Sequence, residues 1–130
     1  MTMRSYHPRT FRRALALAAI ASFTMLTHTW AHAFIDRTEP LVGGTVKPAP
    51  TEVRLWYTQG LEPAFSHVQV FDAAGKEVDK QDMHLDPKND HLMIVSLPAG
   101  LGAGTYKVVW RVVSVDTHTT QGSFTFRVEA

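Results

Sequence analysis

Asp116 and His118 stand two residues apart in "VVSVDTHTTQGSFTFRV". Side chains alternate across an extended chain, so a carboxylate and an imidazole at that spacing can face one metal ion. If strand geometry runs on past Val112, then Ser114, Asp116 and His118 share one side. Alone, Asp-x-His is a weak pattern, because turns recruit Asp and polar residues to bind backbone amides. A further histidine changes its meaning. His32, in "TWAHAFIDRTEP" (29–40), sits where an apolar leader meets a polar segment. If the chain is cut just before it, His32 carries both an imidazole and a free α-amine, and the pair can close a chelate ring. Three nitrogens and one carboxylate oxygen in a plane suit Cu(II), which favours tetragonal N/O surroundings. The amine, with an ordinary pKa of about 8, must lose its proton to bind, so affinity falls with pH.

His32 survives only one of two possible cuts. Residues 1–13 hold Arg4, Arg9, Arg12 and Arg13 with no acidic residue, and an apolar run follows over 14–26. That run is short of the roughly 20 residues of a membrane span; with its basic start and small-residue exit it reads as a secretory signal peptide. Arg12 and Arg13 resemble a twin-arginine signal only weakly, so ordinary export is expected. A cut after Ala31 leaves His32 first, whereas a cut after Ala33 leaves Phe34 first. Small residues at −3 and −1 favour the second site. Leader rules alone therefore do not select His32.

Removing residues 1–31 leaves 99 residues, enough for one small domain. It holds nine basic and twelve acidic residues, a net charge of −3. Such a balance argues against nucleic acid as a partner. There is no cysteine, so an exported domain of this size must rely on its core rather than on disulfides. Thiolate sites for Cu(I) or Zn are excluded.

The elements that must position the site read as strands. "TEVRLWY" (51–57) puts Val53, Leu55 and Tyr57 on one face, and "SHVQVFD" (66–72) aligns Val68 with Val70. "HLMIVSL" (91–97) is apolar enough to be buried on both faces. "TYKVVWRVV" (105–113) aligns Tyr106, Val108, Trp110 and Val112, and "GSFTFRV" (122–128) aligns Phe124, Phe126 and Val128. These are period-2 patterns in β-branched and aromatic residues. Turn signals separate them at 43–44, 47–50, 73–76, 86–90 and 98–104. Several short strands without a helical period predict an all-β, immunoglobulin-like sandwich of two sheets. Tyr106 and Trp110 read as core, His67 and Arg111 as surface, and Asp36, Arg37 and Glu39 as a polar edge after the first strand.

Three blocks carry a family resemblance: "AHAFIDRTEPLVGGTV", "PTEVRLWYTQGLEPAFSHVQVFDAAGKEV" and "LPAGLGAGTYKVVWRVVSVDTHTTQGSFTFRV". Gly-Thr-Tyr, the Trp-Arg pair, and Asp-x-His followed by Gly-Ser-Phe make the last block the specific one. The chain resembles the CopC family of periplasmic copper-binding proteins. That resemblance implies a Greek-key β-sandwich of about seven strands binding one Cu(II) per chain. Its ligands would be the amine and imidazole of His32, the Asp116 carboxylate and the His118 imidazole. It implies a cut after Ala31, giving a leader over 1–31 and a copper-binding domain over 32–130. It further implies a periplasmic monomer in copper homeostasis or resistance, with an inner-membrane copper-transport protein as partner. Two departures stand out. Phe34 occupies the place of a second histidine, and Gln59 replaces a common Glu, with Glu62 three residues on. Some relatives hold Cu(I) on methionines. Here Met83 and Met93 are the only ones outside the leader, near His84 and His91, and Met93 lies in an apolar strand where methionine fills gaps. A Cu(I) site is not expected.

An N-terminal histidine with a second histidine also forms the copper brace of oxidative enzymes. Asp116 separates the readings: it fills the fourth in-plane position and adds negative charge, which favours Cu(II) and leaves oxygen no easy place. No cysteine nucleophile and no Gly-x-Ser-x-Gly elbow is present. The expectation is a copper binder, not an enzyme. A metal-free structural sandwich is what remains if His32 is cleaved away.

Overall fold

Apolar residues recurring at every second position are what the chain uses to build two sheets. The computed structural model describes residues 33–130; the leader, His32 and the junction after Ala31 lie outside them. Eight strands follow in order: β1 (Ile35–Glu39), β2 (Thr45–Val46), β3 (Glu52–Tyr57), β4 (His67–Phe71), β5 (His84–Asp86), β6 (Asn89–Ser96), β7 (Gly104–Val113) and β8 (Thr119–Val128). A 3-10 turn, Pro63–Phe65, is the one helical element among the described residues. The sheets have orders β1-β3-β6-β5 and β2-β8-β7-β4. Five connections cross between sheets, and two, β5–β6 and β7–β8, are hairpins. This is the two-sheet sandwich that the alternation predicts, with the Greek-key order that the resemblance implies.

The inward faces meet as read. Val53, Leu55 and Tyr57 of β3 and Met93 and Val95 of β6 pack against Val68, Val70, Tyr106, Val108, Trp110, Val112, Phe124, Phe126 and Val128 of the other sheet. Each large apolar side chain so buried contributes about 1.5–3 kcal/mol, which is how a domain without disulfides holds together. Tyr57 meets Trp110 edge-on with ring centroids 5.4 Å apart, and Tyr106 stacks on Phe126 at 5.5 Å. His67 and Arg111 are exposed and sit opposite each other across β4 and β7.

β6 is buried on both faces. Its outward residues Leu92 and Ile94 lie in register with Trp56 and Arg54 of β3. Arg37 and Arg54 lie over the Trp56 ring at 4.6 and 5.4 Å, their stems and the indole covering the apolar pair. Arg37 and Arg54 also pair with Glu39 and Glu52.

Three expectations change. Asp36, Arg37 and Glu39 do not follow the first strand; they are in it, because β1 is an edge strand that leaves Asp36 and Arg37 exposed and Glu39 half-buried. Two short strands were not read at all. β2 pairs only Thr45 and Val46, in parallel with Arg127 and Val128, and β5 is a three-residue edge. Neither is long enough to show a period. Finally, β7 stops at Val113 instead of running on through Asp116.

Gly122 faces Trp110 across the β7–β8 ladder, and a Cβ there would come within 2.6 Å of the indole Cζ2. The ring is held by Tyr57 and cannot swing aside cheaply. Gly122→Ala should therefore cost about 1–3 kcal/mol, seen as a lower urea midpoint at unchanged m-value. An unaltered midpoint would mean that the indole yields freely.

Candidate metal centre

The Asp-x-His motif lies in the tight turn that joins β7 to β8. Thr117 N donates to the Ser114 carbonyl at 2.8 Å, and Ser114 N to the His118 carbonyl at 2.9 Å. Thr117 has a φ of 71°. A turn followed by a left-handed residue is the common three-residue hairpin loop. Glycine or asparagine usually takes that left-handed place; a β-branched residue there is uncommon and costs on the order of 1–3 kcal/mol. Strand alternation is thus not what relates Asp116 to His118. The hairpin loop turns the chain back and brings the two side chains together.

They meet at 3.2 Å, Asp116 Oδ2 to His118 Nδ1, with about a third of each side chain exposed (35% and 31%). Beneath them Ser114 is fully buried. Its hydroxyl donates to Asp116 Oδ1 and lies 3.2 Å from the His118 carbonyl. The Ser114 hydroxyl above all holds the Asp116 carboxyl below the usual carboxylate range; partial desolvation works against it, and His118 adds to the lowering. At neutral pH the group is therefore a ready anionic oxygen donor.

The chain enters the fold beside this pair. Ala33 is fully buried, and its carbonyl accepts a hydrogen bond from Thr120 Oγ1 at 2.8 Å. Phe34 N donates to Thr58 Oγ1 at 3.0 Å, and Thr58 N returns a bond to the Phe34 carbonyl at 2.9 Å. The entering segment thus joins β8 in one sheet to the end of β3 in the other. His32 itself lies outside the described residues, but its immediate neighbour is fixed two residues along the chain from His118.

Gln59 is half-buried in the segment that adjoins the hairpin loop, where Val115 N donates to the Gly60 carbonyl at 3.0 Å. Glu62 N donates to the Val113 carbonyl at 2.8 Å. Neither joins Asp116 and His118 in a ligand cluster. Among the described residues no group of three or more His, Asp or Glu side chains is disposed to hold a metal ion. Asp116 and His118 are the two potential donors brought together here.

The four residues considered for Cu(I) do not converge. Met93 is fully buried in the inter-sheet core, whereas exposed His84 pairs with Ile94 and so points to the opposite face. Met83 packs against the core edge. The Nδ1 of His91 is 3.2 Å from the Tyr57 carbonyl, and its Nε2 is 3.6 Å from Asp90. Sequence reasoning assigned no part to Ser114 beyond a shared side, and none to Thr58 or Thr120. Thr120 carried one usable signal: it lies two residues beyond His118, at the start of β8.

The CopC domain family matches residues 35–129. Protein YobA of Escherichia coli K12 is 32% identical over 114 residues, covering 88% of this chain and 92% of that protein. Copper resistance protein C of Pseudomonas syringae pv. tomato is 34% identical over 94 residues, 66% of this chain and 72% of that one. Among solved structures, CopC from Methylosinus trichosporium OB3b superposes with a TM-score of 0.70 at 30% identity, covering 75% of this chain and 94% of its own.

Because the Asp116 carboxyl titrates below its unfolded value of about 3.9, it stabilises the fold above that pH. The contribution is lost as pH falls through the folded value. Ser114→Ala should move the Asp116 titration upward toward the ordinary range and shrink this acid-side loss. Carboxyl chemical shifts followed by NMR on metal-free protein measure it; an unmoved Asp116 titration would remove Ser114 from the account.

Proposed function

The chain belongs to the CopC family, and from that premise we propose that the mature protein begins at His32 and binds one Cu(II) in the periplasm. The ligands are the amine and imidazole of His32, the Asp116 carboxylate and the His118 imidazole. The observation that carries this reading is the hydrogen bond from Thr120 to the Ala33 carbonyl. It holds the residue after His32 beside a two-donor pair that needs more donors. The donor set fits the ion: an ionised oxygen and imidazole nitrogens match Cu(II), and no thiolate or thioether is on hand to draw Cu(I).

The same observation bears on the cut. Ala33 is fully buried, so a cut after it would remove a packed residue and leave the Thr120 hydroxyl without its acceptor. A cut after Ala31 preserves both. The protein sequesters or delivers copper and is not an enzyme: Asp116, as a further ligand, would add negative charge that favours Cu(II) and would leave oxygen no easy place. Three large side chains at this end, Phe34, Phe65 and Val115, are more than half exposed. The partner in this reading is an inner-membrane copper-transport protein that takes up the ion from the monomer, and these exposed side chains are where contact with it is expected.

Copper-loaded protein starting at His32 should bind one equivalent and give a type-2, tetragonal paramagnetic resonance spectrum. Acetylating the amine, or adding one residue before His32, should weaken Cu(II) by more than about 100-fold, exceeding what loss of a supporting contact costs. Asp116→Ala should do likewise and raise the copper reduction potential. A blue-copper spectrum, or affinity indifferent to the blocked amine in competition titrations, would refute the assignment.

A further inference from the structure

Charge is divided unevenly between the two sheets. Strands β1, β3, β5 and β6 carry Asp36, Glu39, Glu52, Asp86 and Asp90, whereas β2, β4, β7 and β8 carry no acidic residue. Lys107, Arg111 and Arg127 all stand exposed on the outer face of that second sheet, because Tyr106, Trp110 and Phe126, one position away, turn into the core. Lys107 pairs with Thr125 and Thr105 with Arg127, which sets Lys107 and Arg127 on a diagonal of about 7–8 Å. Arg111 lies four residues along β7 from Lys107, about 13 Å. On the other sheet Arg37 and Arg54 are paired with Glu39 and Glu52. Among the described residues none of the three cations on this face is in an ion pair. Glu77, opposite Phe71, and Glu129, past the end of β8, lie at its margin.

We infer that this face docks the protein on an anionic phospholipid surface. An open sheet face presents its outward side chains on one broad surface, which suits many headgroups at once rather than one enclosed ligand. Gln121, Ser123 and Thr125, exposed among the cations, add neutral donors for phosphate oxygens. Among the described residues, none of the large apolar side chains that stand more than half exposed is on these strands. The face therefore lacks the aromatic and aliphatic anchors on which protein–protein interfaces rely, and it has nothing to sink below the headgroups. Attraction between charges is what remains. The net charge of −3 left after removal of the leader does not cancel it at close range. The carboxylates of the other sheet face away, across sheets packed about 10 Å apart, and charges are screened over about 8 Å at physiological ionic strength. β7 and β8 both run into the loop that carries Asp116 and His118. A molecule lying on this face thus holds that pair at the rim of the contact, within reach of a protein in the same membrane. The inference takes from the reading above only that the protein is exported, and it is independent of the copper ligands.

The test is co-sedimentation of metal-free protein lacking residues 1–31 with vesicles of equal parts phosphatidylglycerol and phosphatidylcholine, set against vesicles of phosphatidylcholine alone. The leader is left out because Arg4, Arg9, Arg12 and Arg13 would bind anionic lipid themselves. Protein should sediment with the anionic vesicles at low salt, stay behind with the neutral ones, and be released as salt rises. Lys107→Gln together with Arg111→Gln should weaken binding about 25-fold, about five-fold for each charge. Lys80→Gln together with Lys88→Gln changes the net charge equally but touches the other sheet: the Lys80 amide donates to the Ser96 carbonyl of β6, and Lys88 lies in the turn from β5 to β6. That pair should cost less than about two-fold. All four positions are exposed, and urea midpoints matching the parent's would show the fold intact. Equal losses in the two pairs would overturn the proposal, since net charge and not this face would then govern binding. Binding to neutral vesicles, or binding that salt does not release, would overturn it too. So would failure to bind the anionic vesicles; retention on immobilised poly-glutamate in that case would give the face to an acidic protein instead.

Discussion

Ten consecutive residue pairs join β7 to β8, from Gly104 opposite Val128 to Val113 opposite Thr119. On that register depends most of what the molecule has to arrange. A slip by one residue would turn Phe124, Phe126 and Val128 to solvent and drive a side chain into the space that Gly122 leaves for Trp110. It would also dissolve the three-residue loop, whose length is set by Ser114 closing onto His118. Core packing therefore enforces the geometry of a surface pair. The hydrophobic faces of two strands determine how far a carboxylate stands from an imidazole.

Polar groups at the open end are organised around that hairpin in a consistent sense. Ser114 is buried, so its hydroxyl has no water to prefer, and the Asp116 carboxylate gives it a strong acceptor. Asp116 in turn is aimed by a fixed donor and has its second oxygen toward His118. The arm that precedes β1 spans the mouth between the sheets, bonded to Thr58 on one side and Thr120 on the other.

Elsewhere the sandwich meets its own difficulties by ordinary means. β6 is hydrophobic on both faces, and the outer one is covered not by another layer but by Trp56 with two guanidinium groups upon it. The same arginines place charge along β1 and β3, which discourages another chain from adding to that edge. With no cysteine in the sequence, cohesion comes from apolar burial and from such layered contacts.

Alternation was enough to read β3, β4, β7 and β8, a continuous apolar run gave β6, and together they gave nearly all of the inter-sheet core. A strand of five or more residues repeats its pattern often enough to be seen, and burying one face leaves a single consistent choice. β2 and β5 escaped because two or three residues carry no period; their pairing partners, not their own side chains, make them strands. Asp116 and His118 were legible as residue types that a metal ion can use, while His32 lies outside the described residues. How those two relate was not legible. Asp116 and His118 were expected to share a strand face, and only the folded chain substitutes a turn, because Thr117 takes a left-handed conformation that nothing in a threonine announces. Thr58 and Thr120 were silent for a related reason. Their roles are hydrogen bonds to a backbone many residues away in sequence, and a hydroxyl's partner is decided by tertiary proximity, which local pattern does not encode.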